Sequence, residues 1–122
     1  MLKDYRFYQI VLVIWFWSSV TEEVFTRGWL QSSLPAWRWI VSGLFFGSMH
    51  LTVWWAGADL ATSAILVAAT TLLGLLCGRL RDRHESLTPA IAAHMSFNVG
   101  GLLGGILYTA GYAIRHGKPP AM

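Results

Sequence analysis

Four apolar stretches, each close to the length that crosses a bilayer, follow one another along this chain of 122 residues. They run from about Phe7 to Leu34, Ala36 to Trp55, Ala61 to Leu80 and Thr88 to Ile114. A spanning helix needs roughly 20 predominantly apolar residues, and only helices or closed barrels satisfy their backbone in lipid. No stretch alternates with period two, so helices are expected. The sequence predicts an all-α, polytopic membrane helix bundle of about four transmembrane helices, with residues 1–122 as a single domain.

Composition supports the same solvent. Charged residues are 12% of the chain and apolar residues 55%, against about 25% charged in soluble domains. A soluble domain of this size could not hide that much apolar surface. Trp15, Trp17, Trp37, Trp39, Trp54 and Trp55 suit an interfacial belt. The net charge of +3 does not point to nucleic acid, because the basic residues are scattered at segment ends. Lys3, Arg6, Arg115 and Lys118 would lie on one side, and Arg38, Arg79, Arg81 and Arg83 on the other. Four against four leaves orientation open. The single cysteine, Cys77, lies in an apolar run and reads as core packing.

The breaks are legible. Pro35 separates the first two stretches, and Trp54 to Asp59 reads as an interfacial turn. Arg79 to Ser86 is the most polar stretch and reads as the next break. Thr88-Pro89 reads as a cap and a first-turn proline. The N-terminus, with no small-residue cleavage site after its apolar run, reads as a retained first helix. The tail, 115–122, reads as polar and frayed. Gly100, Gly101, Gly104 and Gly105 are expected to allow close helix contact.

Glu22, Glu23, Arg27, His50, His94 and Asn98 fall inside the apolar stretches. An ionisable group at mid-bilayer costs several kcal/mol unless it faces the bundle interior, so such residues mark a site by default. Glu23 and Arg27 stand at i and i+4 and can pair, while Glu22 sits about 100° around the helix and can face a cavity. Phe46 and His50 share a face, as do His94 and Asn98. A carboxylate can take a proton from water, and imidazole and carboxamide can hold that water or an oxyanion. Glu plus two His is also an acceptable zinc set, although no HExxH is present.

Three motifs in order resemble a known family. Thr21-Glu22-Glu23-Val24-Phe25-Thr26-Arg27 resembles the EExxxR motif of the CAAX-protease and bacteriocin-processing membrane proteins, which include the type II CAAX prenyl proteases. Phe46-Gly47-Ser48-Met49-His50 resembles its FxxxH motif, and His94-Met95-Ser96-Phe97-Asn98 its HxxxN motif. The resemblance covers roughly residues 21–101. It implies a glutamate-dependent intramembrane endopeptidase with Glu22 as general base, His50 orienting the water, and His94 and Asn98 stabilising the oxyanion. Glu23, Arg27 and Phe46 would support the site. No cofactor is then required; a metal-dependent variant would use Glu22, His50 and His94 for zinc.

The implied partners are the lipid bilayer and a membrane-embedded or lipidated peptide or protein, not nucleic acid. The compact core points to a multi-pass protein of a bacterial cell membrane. Family members usually carry more helices, which leaves a homo-oligomer, a longer parent chain or lost activity as alternatives. Two other functions stay open: a non-catalytic immunity or partner-binding protein on the same scaffold, and a proton or ion pathway built from the same Glu and His residues.

Overall fold

A computed structural model describes residues 5–118, and every regular element among them is helical. Helix α1 (Tyr5–Glu23) passes without a break into a π-helical segment (Val24–Leu30) and a final turn, α2 (Gln31–Ser33). Helix α3 spans Arg38–Met49 and the short α4 spans Thr52–Trp55. Helices α5 (Leu60–His84) and α6 (Thr88–His116) are the long ones, and both are long and apolar enough to cross a membrane. The N-terminal Met1–Asp4 and the last tail residues, 119–122, lie outside the described residues.

The π segment has a consequence for burial. Ser19, Glu23, Arg27 and Gln31 are all buried. Steps of four residues drift roughly 40° each around an α-helix. The wider turn that begins at Val24 takes up that drift and keeps the later residues on the inward face.

Two boundaries differ from the sequence reading. The second stretch is not one spanning helix: α3 has 12 residues and ends at Met49. At 1.5 Å per residue it is roughly 18 Å long, well short of a 30 Å hydrocarbon core. Side chains supply the reason. Ser48 Oγ donates to the Phe45 carbonyl at 2.7 Å, Thr52 Oγ1 donates to that of Met49 at 3.0 Å, and His50 Nδ1 lies 3.0 Å from that of Phe46. Such bonds compete with the helical ladder.

The second difference is at Arg79, where no break occurs: α5 runs on to His84. Arginine is a good helix former, and Arg81, Arg83 and His84 complement the negative end of the helix dipole. Glu85 then stops the helix in the left-handed region, with φ 51°. Thr88 is also not a cap. It is the first residue of α6, and its N–H is met by Ser86 Oγ at 3.3 Å. The chain turns after α2 as expected, with Leu34 extended before Pro35.

Glycines set the packing of α3 on α5. A Cβ at Gly43 would stand 2.8 Å from the Leu75 nitrogen, and one at Gly47 1.8 Å from Thr71 Oγ1. From the other side, a Cβ at Gly74 would meet the Gly43 carbonyl at 2.8 Å, and one at Gly78 that of Trp39 at 2.9 Å. The two backbones thus touch, as small-residue pairs allow in membranes. The expectation for Gly100, Gly101, Gly104 and Gly105 is corrected: a Cβ at any of them would meet nothing within 4 Å among the described residues.

The interior is more polar than apolar. Phe46, Leu73, Cys77 and Ala90 are buried, beside Ser19, Glu23, Thr26, Arg27, Gln31, Ser42, Ser63, Thr70 and His94. Many large apolar side chains face outward, with Leu107 72% and Ile114 87% exposed. This inversion of a soluble core suits a lipid solvent, in which polar groups pay for exposure. The chain is an all-α membrane helix bundle.

Candidate active site

The first motif divides its two carboxylates. Glu23 is fully buried and lies 3.3 Å from Arg27 Nη1, one turn along. Arg27 is held further by the Gly74 carbonyl, 2.7 Å from Nη2, and by Thr26 Oγ1. Its guanidinium also sits over the Phe46 ring, 4.7 Å from the centroid. Glu22 points elsewhere: its side chain is 27% exposed and accepts a hydrogen bond from Ser18 Oγ at Oε1. Glu23 is therefore anchored, while Glu22 stays partly open to its surroundings.

His94 links the two. Its Nδ1 lies 2.9 Å from Glu23 Oε1, and its Nε2 lies 3.8 Å from Glu22 Oε2. In the neutral imidazole a carboxylate at Nδ1 requires the N–H there, which leaves Nε2 as the acceptor facing Glu22. Phe46 packs its ring between the histidines, 5.3 Å from His94 and 5.1 Å from His50. His50 Nδ1 faces the Phe46 carbonyl, which can only accept, so its Nε2 is also left over.

α1 and α6 run antiparallel through this region and are joined by two rungs. Glu23 meets His94 on the first. One turn away on both helices, Ser19 meets Asn98, whose Nδ2 donates to Ser19 Oγ at 2.9 Å. Beside the second rung lies a groove of about 330 Å³, lined by Ser19, Asn98 and apolar residues including Phe16 and Met95.

The structure thus gathers Glu22, Glu23, Arg27, Phe46 and His94 directly. His50 joins through the Phe46 ring, and Asn98 through Ser19. The imidazole beside Glu22 is that of His94. No ion pair joins His50 to a carboxylate among the described residues. Nor do three His, Cys, Asp or Glu side chains converge as a metal set among them, so Glu22, His50 and His94 offer no preformed zinc trio.

Two contributors escape sequence reading. Gln31 is buried and binds three residues of α3 and α5: its Nε2 donates to Gly78 O and Asp82 Oδ1, each at 2.9 Å, and its Oε1 accepts from Ser42 Oγ at 2.9 Å. Asp82 also pairs with Arg38, at 2.9 Å from Nε. Ser19 is the other. Gln31 lies two steps of four beyond Glu23, and Ser19 one step before it. That spacing was the available signal.

No curated protein and no solved structure matches the chain. The model of the family described as type II CAAX prenyl endopeptidase, Rce1-like, matches residues 5–100, a span that includes every residue of the cluster just described. On that match the chain belongs to the Rce1-like family of type II CAAX prenyl endopeptidases.

Proposed function

We propose that this chain hydrolyses a peptide bond of a membrane-associated, lipidated protein or peptide, using water activated by Glu22. One observation carries this reading: of two adjacent carboxylates, Glu23 is buried against Arg27, whereas Glu22 stays partly exposed and faces His94 Nε2 at 3.8 Å.

The residues divide the work as follows. Glu22 takes a proton from water as the water oxygen attacks the scissile carbonyl carbon, and later returns it to the leaving amine. His50, with Nε2 left over, holds the water. The second amide N–H of Asn98 donates to the oxyanion, as does His94 Nε2 once it carries a proton. Glu22 Oε2 and His94 Nε2 stand 3.8 Å apart, beyond hydrogen-bond reach, and must draw closer in the substrate complex before that proton passes between them. Glu23 fixes the His94 ring through Nδ1, as a carboxylate orients imidazole in other hydrolases. No step is routed through a metal.

The test is cleavage of prenylated and unprenylated reporter peptides in liposomes. Glu22→Ala should lose roughly 10²–10⁴-fold in rate, the usual share of a general base, while inserting and melting like wild type. Activity should persist with a chelator present. Full activity in Glu22→Ala would sink the mechanism. A folded wild type that binds but cuts nothing would favour the non-catalytic immunity or partner-binding reading.

A further inference from the structure

We propose that Ser19 is a positioning residue for catalysis, setting which end of the Asn98 amide faces the α1–α6 seam. The kinetic part of this inference rests on the peptidase reading above; the structural part does not.

The hydrogen bonds at Ser19 admit one arrangement. Ser19 is fully buried. Its Oγ lies 2.7 Å from the Trp15 carbonyl and 2.9 Å from Asn98 Nδ2. A serine hydroxyl has one proton, and a carbonyl can only accept, so that proton goes to Trp15. Toward Asn98 the Ser19 oxygen can then only accept. Only the NH₂ end of the amide satisfies it; the carbonyl end would set two acceptors against each other. The hydroxyl therefore selects one of two amide orientations that are otherwise nearly equal in shape.

The surroundings offer little alternative. The groove beside this pair is walled by Leu12, Val13, Phe16, Met95 and Val99, with Trp15 and Trp17, whose indole N–H can only donate and so cannot accept from the amide NH₂. A polar group loose in such a setting costs free energy, so the bond to Ser19 is the one that persists. With one N–H committed to Ser19, the other is held at a fixed angle. Asn98 stands one turn from His94 on α6, and Ser19 one turn from Glu23 on α1, so this angle is referenced to the same two helices as the Glu23–His94 pair. A donor aimed before the reaction starts is what an oxyanion site needs.

Asn98 is the only asparagine in the chain, so selective ¹⁵N-asparagine labelling yields a single side-chain NH₂ pair. In wild type in nanodiscs, one of its two protons should be protected from exchange; in Ser19→Ala that protection should vanish. Ser19→Cys, nearly isosteric but a weak acceptor, should behave alike if the alanine variant folds poorly. Protection unchanged in the folded variant overturns the proposal. In the cleavage assay Ser19→Ala should lower kcat on the order of tenfold with KM held, a fraction of the cost of deleting an oxyanion donor. Adding Ser19→Ala to Asn98→Ala should cost nothing more, since Ser19 acts through Asn98. Additive losses would overturn the positioning role. If Asn98→Ala alone left cleavage intact, the catalytic reading of Asn98 would fail while the labelling experiment still decided the orientation.

Discussion

α3 meets α5 backbone to backbone, whereas α1 meets α6 through polar side chains with a groove beside them. In the first contact, side chains have been deleted: Gly43, Gly47, Gly74 and Gly78 leave no room for a methyl. In the second, reactive groups span the gap at Glu23–His94 and Ser19–Asn98. The difference teaches how a small bundle can be rigid in one contact and still leave space beside another. The glycine contact fixes the Phe46 end of α3 relative to α5. The side-chain seam then gathers the polar groups and keeps space next to them.

The largest expected effect tests the anchored half of the seam. Glu23→Ala leaves Arg27 buried with an uncompensated charge, a change that costs roughly 3–5 kcal/mol in comparable buried pairs. Glu22→Ala should cost far less stability, because Glu22 is partly exposed and Arg27 keeps Glu23. Denaturant titration in micelles of the two variants measures the contrast. Equal losses would mean that the two carboxylates share the arginine, against the division described above.

Next in size is the glycine contact. Gly47→Ala places a methyl against Thr71 Oγ1 and within 2.9 Å of its Cα, so α3 and α5 must separate. Overpacking of this kind costs about 1–3 kcal/mol. Gly104→Ala, on α6, meets open space and should be neutral or slightly stabilising, since alanine favours a helix by up to about 1 kcal/mol. Thermal melting of both variants sharpens the comparison between glycines that pack and glycines that do not. A Gly104→Ala loss as large as that of Gly47→Ala would reveal a partner on α6.

The smallest effect is at the start of α5, outside both contacts. Asp59 caps this helix: its Oδ1 accepts from the Thr62 amide at 2.9 Å. The side-chain hydrogen bond from Thr62, then the backbone one, hold its carboxyl below the usual aspartate range. The folded value is depressed, so the cap's contribution is present above the ordinary aspartate range and is lost as pH falls through the folded value. The protection factors of the Thr62 and Ser63 amides, relative to their intrinsic exchange rates, should fall on acidification over that window. Asp59→Asn, which still caps, should abolish the pH dependence. The same dependence in Asp59→Asn would point to another titrating group.

Much of the plan was legible in the order of residues. Glu23 and Arg27 could be paired from their spacing, because four residues is nearly one helical turn whatever surrounds it. The split between Glu22 and Glu23 followed from the 100° between neighbours. Pro35 and Pro89 marked helix boundaries because proline restricts its own backbone and that of the residue before it. Elsewhere local reasoning misled. The end of α3 at Met49 depends on side chains capturing carbonyls, which hydropathy does not register. The arginines after Gly78 looked like a break, but a helix tolerates charge at its last turn.

By itself, the sequence determined the solvent, the helical class, the family motifs and which polar residues had to lie inward. Those follow from composition and from short-range helical geometry, and neither needs knowledge of what lies opposite. The tertiary structure alone decided which glycines touch, that His94 is the imidazole beside Glu22, and that Gln31 and Ser19 belong to the interior network. Those are contacts between residues 11 to 79 positions apart in the chain. Spacing along one helix fixes a face, but only the packing of a second helix determines what that face meets.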